Sequence, residues 1–275
     1  MAVNRASTAK LLVPGINALF GMAYKNVDNE HLPLFDTDSS KRAYEEEVLI
    51  VGMGVAPVKS EGAAVTYDTI EEGYTARYTH ETISIAFAVT KEALEDNMYD
   101  LFSKARAKAL GRSMATTKQV KAADVYNNGF TGGATAGGDD VALFSAAHPT
   151  TFDGDQSNTV TADLSESTLE TALQTIDLLE DDRGILIGCK AKSLLIPPQL
   201  VWTCQRILGS EYRPGTADND VNAIKALGFF PSGFSVNRRF TDIDSWFIRT
   251  DVENGMKHFT RVKLETSMDP DWDTD

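Results

Sequence analysis

The feature that most constrains this chain is a helical pattern running from about Thr90 to Asn127. Thr90 supplies an N-cap and Glu92 sits in the first turn, where an acid suits the helix dipole. Met98, Phe102, Ala105, Ala109, Val120 and Ala123 recur at helical steps on one predicted apolar face, with a weak point at Asp96-Asn97. Thirty residues of helix within that span would be ~45 Å long, unusual for a small globular domain. It must end in NNGFTGGATAGG, because five glycines at 129–138 make continuation too costly.

The stretch before the helix alternates. In TISIAFAVT, Ile83, Ile85, Phe87 and Val89 share one face, and Thr82, Ser84, Ala86 and Ala88 share the other. Ala76 and Tyr78 hold the opposite parity, so the strand changes which face is covered partway along. Upstream, Gly52, Gly54, Pro57, Gly62 and Gly73 punctuate a segment whose Val65, Tyr67 and Thr69 give a weak strand signal. These residues predict an exposed hairpin over 52–82 whose second strand runs into a buried sheet. Residues 1–51 read as an arm: Leu11, Leu12, Ile16, Leu19 and Phe20 make one short apolar patch ahead of a polar stretch. Such a segment needs another surface to lie on, and a neighbouring copy could supply it.

Beyond the glycines, Leu164 before Ser165 and Leu169 at the fourth helical position form a hydrophobic staple. Leu169, Ala172, Leu173, Ile176 and Leu179 carry a helix to a stop at Asp182-Arg183-Gly184. A strand follows in SLLIP, then a helix opened by Pro197-Pro198, with Trp202, Ile207 and Leu208 as its expected buried residues. Short strands near 233–237, 245–250 and 257–265 complete the pattern. Helices and strands without regular βαβ alternation indicate α+β.

Charge narrows the function classes. Forty acids against 26 bases give a net charge of −14, the opposite of a protein that neutralises phosphates. No apolar run approaches the ~20 residues needed to span a bilayer, and the first residues lack the apolar stretch of a secretory signal. Cys189 and Cys204 match neither a CxxC pair nor a zinc site, and read as two buried free thiols.

Local catalytic motifs are missing. His31, His80, His148 and His258 form no HxxxH pair. His148 with Asp139 and Asp140 is the one place for a metal-dependent hydrolase site, and it lacks a fixed ligand set. Asp153, Asp155 and Ser157 begin like a calcium loop, but Asn158 replaces the turn glycine and Leu164 the bidentate glutamate. Gly52-Met53-Gly54 has Pro57 where a dinucleotide loop needs its third glycine. These absences predict a protein that is not an enzyme and uses no cofactor.

One charge pattern stands apart. Between Leu101 and Ala123 lie six bases and no acid, and Lys104, Lys108 and Arg112 step by four into a stripe. Like charges at that spacing weaken an isolated helix by a few tenths of a kcal/mol each, so the stripe is either a solvated basic face or one whose acids another chain supplies. Glu61, Asp68, Glu71 and Glu72 in the hairpin are the candidates.

Taken in order, these segments resemble the tailed-bacteriophage major capsid family with the Hong Kong phage fold, nearest its Mu-like head-subunit branch. The resemblance rests on the glycine-punctuated hairpin, SIAFAVTKEALEDN leading into the long helix, NNGF, DDVALFSAAHP, SLLIPPQL and SWFIRTD. It implies an N-arm at 1–51, an E-loop hairpin at 52–82, a peripheral domain with a spine helix at 83–128 and 255–275, and an axial domain at 129–254. It further implies a shell of hexamers and pentamers enclosing double-stranded DNA without reading its sequence. Portal, scaffold and decoration proteins would be partners, no membrane would take part, and assembly would occur in the host cytoplasm. Glu71 and Glu72 are then expected against Lys104, Lys108 and Arg112 of an adjacent copy, and Phe20 and Leu34 buried on a neighbour. A nanocompartment shell of the same fold and a tail-tube protein are the competing readings. The family often carries a further peripheral strand beyond the position of Asp275, so the resemblance implies a chain that is either truncated or naturally short, and without a long charged N-terminal helix any scaffold would be separate or already removed.

Overall fold

The computed structural model describes residues 17–88, 99–132, 137–150, 154–213, 220–252 and 255–267. They divide into two units, one from 17–29, 81–121 and 260–267, the other from 30–80 and 122–259. The architecture is mixed α+β. The expected cap at Thr90, and with it Glu92 and Met98, lies outside the described residues.

The first unit is built on residues 99–121 of the long helix, Tyr99–Asn127, whose 29 residues span ~43 Å. Its buried line differs from the predicted one. Ala107, Gly111, Ala115 and Gln119 are buried, whereas Ala105, Ala109 and Val120 face outward. Over Ala107, Gly111 and Ala115 small volume, not hydrophobicity, selects this line. A helix over 17–25 crosses the long helix so closely that a Cβ on Gly111 would sit 2.6 Å from the Phe20 carbonyl oxygen. Gly111→Ala therefore sets two effects against each other: alanine favours a helix by ~1 kcal/mol, and the backbone clash opposes it. The clash is expected to win, for a net loss of about 1–3 kcal/mol in denaturant melts. A stabilised alanine variant would mean the two helices do not cross there.

The alternating segment after the hairpin is a second departure. Residues 81–88 form no hydrogen-bonded strand, and Ile83, Ile85 and Phe87 stay exposed. Instead Glu81 pairs with Lys121 at 3.0 Å, and Arg106 donates to the Ala88 carbonyl at 3.2 Å. Those tethers run the segment antiparallel to the long helix. Alternation alone cannot make a strand, because a ladder also needs a partner backbone.

In the second unit β1 (Asp36–Ser39) pairs with β9 (Lys257–Thr260), and β2 (Tyr44–Val51) with β3 (Glu71–Thr79). The hairpin's first strand thus lies in the stretch read as arm, and residues 52–70 form the loop, without the strand suggested by Val65–Thr69. YEEEVLIV carries no clean period-2 signal, which hides it from sequence reading. The strands are antiparallel, with Tyr44 opposite Thr79, Val51 opposite Glu71 and a bulge between Val48 and Ile50. The hairpin rests on its own unit: Tyr78 meets Phe259 edge-on at 5.2 Å, and Lys257 donates to Glu47.

A three-stranded sheet, ordered β7 (Phe234–Val236), β6 (Ala191–Ile196), β8 (Phe247–Thr250), organises the rest, with β6 parallel to β7 and antiparallel to β8. β6 is buried on both faces, which explains the continuous apolar run SLLIP. One face packs Leu194 and Ile196 against Leu169, Cys204, Ile207 and Ile224. The other sets Leu195 among Leu34, Phe35, Tyr126, Phe240 and Phe247. The Glu166–Asp177 helix starts as expected, with Ser165 accepting from the Thr168 amide and Leu164 and Leu169 both buried. In the Val201–Gly209 helix, Trp202 is 76% exposed against the expectation of burial. It lies about 200° around the helix from Cys204, on the side opposite the core line of Cys204 and Ile207. His148–Pro149 (β4) and Asp155–Gln156 (β5) make a short antiparallel pair.

Candidate inter-subunit surfaces

The acidic candidates sit at the loop end of the hairpin. Glu71 and Glu72 begin β3 opposite Val51 and Ile50, and both are exposed. On the first unit, Lys104, Lys108 and Arg112 are all exposed along the long helix. Lys118, on the same helix, is half-buried, and burial lowers its pKa.

Phe20 and Leu34 are placed differently from the sequence expectation. They are 5% and 1% exposed within the single chain. Leu34 is buried by Phe35, Tyr126 and Leu195, and the Tyr126 hydroxyl donates to its carbonyl at 2.8 Å. Phe20 lies where the 17–25 helix meets Gly111. Their own chain has already removed them from water, so little of either is left for a neighbour to cover. The burial that encloses Tyr126 also pushes its phenol pKa up.

Loop 52–70 carries the opposite character. Val58 is 99% and Tyr67 94% exposed, with Val55, Val65 and Ile70 also open. Asp68 closes the loop by accepting from the amides of Gly54 at 2.8 Å and Thr69 at 2.9 Å. Those two amides, with Arg183 nearby, hold its carboxyl below the usual range. Arg183 donates to the Thr69 carbonyl at 2.9 Å and lies 3.8 Å from Asp68. Sequence reading used Arg183 only as a helix stop; a lone arginine in a turn carries no signal of what it will reach.

Sequence reading also missed Glu30. Its carboxylate, 7% exposed, takes the Arg238 amide at 3.1 Å, the Arg239 guanidinium at 2.7 Å and the Arg238 guanidinium. Residues 208 and more apart in sequence meet here, which local patterns cannot reveal.

The hydrolase alternative gains a pair but no centre. His148 Nδ1 is 2.8 Å from Asp139, and Asp140 occupies the left-handed region at φ 59°. Among the described residues no three His, Cys, Asp or Glu side chains converge on a metal-sized site. The acidic run at 269–275 lies outside them. Cys189 and Cys204 are both buried and unbridged, and burial pushes the Cys204 thiol up to about 12. No helix among the described residues is long and apolar enough to cross a membrane.

Comparison with known proteins gives the arrangement its context. The capsid of bacteriophage JBD30 superposes with a TM-score of 0.58 at 10% identity, covering 78% of this chain and 92% of that one. The JBD30 procapsid gives 0.53 at 13% identity, covering 80% and 97%. A JBD30 capsid decorated with minor capsid protein trimers gives 0.54 at 11% identity, covering 70% and 87%. At such identities the likeness concerns the fold. No match is found among curated protein sequences. The phage capsid protein family matches residues 73–275, most of the sequence, beginning within the second hairpin strand. The chain belongs to the phage capsid protein family and is a subunit of the capsid shell.

Proposed function

We propose that this chain is the repeating subunit of a closed icosahedral head, arranged as hexamers and pentamers, that encloses phage double-stranded DNA. The observation that carries this reading is the family match, joined to a capsid fold over more than three quarters of the chain. The role is structural, with no chemistry assigned to any side chain. A net charge of −14 suits a container, because like charge discourages the packed genome from sticking to the wall.

In this reading residues 1–51 form the N-arm and 52–82 the E-loop region, with the hairpin's first strand reaching back to Tyr44. Residues 83–128 and 255–275 form the peripheral domain, and 129–254 the axial domain. Assembly takes place in the host cytoplasm with a portal and a scaffold protein as partners. A decoration protein is a further partner, by analogy with the JBD30 capsid that carries minor capsid protein trimers. Many weak contacts repeated around symmetry axes close the shell.

Glu71 and Glu72 are assigned to the basic stripe of Lys104, Lys108 and Arg112 on an adjacent copy. Each exposed pair contributes only ~0–1 kcal/mol, so the pairs tune register while apolar burial drives assembly. Expression followed by electron microscopy should give closed particles of one size. Lys104→Glu with Lys108→Glu should suppress them, and adding Glu71→Lys with Glu72→Lys should restore them. Long cylinders, or compact single subunits only, would overturn the shell reading. Shells in which the stripe lies more than ~10 Å from any neighbour's acids would overturn the pairing alone.

A further inference from the structure

The exposed loop 52–70 is anchored to its own unit through Arg183, and the anchor is built with care on one side only. Arg183 projects from a tight turn. Asp181 Oδ1 accepts from the amides of Arg183 and Ile185, each at 2.9 Å, and the Asp181 amide donates to the Ile185 carbonyl at 2.8 Å. Gly184 closes the turn at φ 73°, a conformation that favours glycine. The Arg183 side chain is 14% exposed with the loop in place. On the loop side, Asp68 gathers the amides of Gly54 and Thr69 and thereby aims the Thr69 carbonyl at the guanidinium.

The consequences differ along the loop. The Asp68–Thr69 end is held, while Val58 and Tyr67 present almost their whole side chains to water. A shell subunit gains from keeping such residues for a second copy, since apolar surface exposed to solvent is stabilised only when something covers it. The charge-assisted hydrogen bond to Thr69 and the solvent-accessible ion pair with Asp68 can be broken at modest cost.

We propose that Arg183 is a clasp: it holds loop 52–70 on the free subunit's own body, and assembly proceeds by opening it so that the loop's apolar residues reach a second copy. The proposal rests on the shell reading, but its first measurement does not, because it is made on subunits before assembly.

The probe is trypsin cleavage after the exposed Lys59, followed by mass spectrometry on unassembled subunits. Arg183→Gln should raise the cleavage rate by about three- to tenfold, the range expected for losing one ordinary solvent-accessible hydrogen bond, and light scattering should show faster shell formation. Asp68→Lys is a second variant, placed in the loop away from both cores, and should reproduce both changes. Unchanged cleavage at Lys59 in the two variants would overturn the clasp, whether or not shells form. Raised cleavage with slower shell formation would overturn the proposed order of events, since Arg183 would then serve the assembled contact.

Discussion

Phe247→Ala is expected to lower the stability of the subunit by about 3–5 kcal/mol, the range for deleting a buried aromatic ring. Phe247, on the central sheet's β8, is 8% exposed. Its ring lies 5.0 Å from Phe144, 5.1 Å from Tyr126 and 5.3 Å from Phe240, in stacked and edge-on arrangements that add to simple burial. The cluster joins the last turns of the long helix to the sheet. Two residues on, Arg249 binds the Pro33 carbonyl at 3.0 Å and the Asp36 carboxylate, whose pKa the Arg249 hydrogen bond lowers. Losing the ring should therefore also loosen the 30–36 segment. Chemical denaturation would measure the loss, and hydrogen exchange at residues 32–36 would follow its spread. A loss below ~1 kcal/mol would mean the rings are not packed as described. Phe247→Leu, which keeps most of the volume, should cost much less.

Glu30→Ala is expected to cost about 2–4 kcal/mol, because removing the carboxylate strands the Arg239 charge and an amide. The Arg239 side chain is 22% exposed and that of Arg238 is 64% exposed, which keeps the figure below that of a fully buried pair. Arg238→Ala should cost under ~1 kcal/mol, since its guanidinium is mostly in water. Glu30→Gln should behave nearly as badly as alanine: the amide nitrogen would face donors, or the turned amide would lose the second arginine. Equal, small effects for Glu30→Ala and Arg238→Ala would contradict a role for this carboxylate in holding 238–239. Shells formed by the variant at reduced temperature would show that the defect lies in the subunit and not in the contacts between copies.

Much of the element content was legible from residues that act locally. Ser165 with its leucine staple, the prolines at 197–198 and the glycines after Asn127 set helix limits through backbone chemistry of a few neighbours. SLLIP announced a strand covered on both faces. The ordered segments also carried the resemblance to phage capsids, with which the family match agrees.

Faces and partners were not legible in the same way. The long helix turned Ala107, Gly111 and Ala115 inward and left Val120 out, because a crossing helix selects the line that lets backbones approach. The run at 81–88 had the alternation of a strand but no ladder, and YEEEVLIV became one by pairing with residues 71–79. Phe20 and Leu34, read as surface for a neighbour, were taken up by their own chain. Sequence alone thus determined the helix starts at Ser165 and after Pro197-Pro198, the glycine stop after Asn127, the acidic balance and the kinship, but not the 17–25 helix, read as arm, nor the stop at Asp177, ahead of the expected Asp182-Arg183-Gly184. Tertiary structure decided which side of each element is buried, that Glu30 meets Arg238 and Arg239, and that Arg183 meets the hairpin loop. The reason is physical: caps and turns are set by neighbours in the chain, whereas packing and ion pairing depend on volume and charge brought together from distant positions.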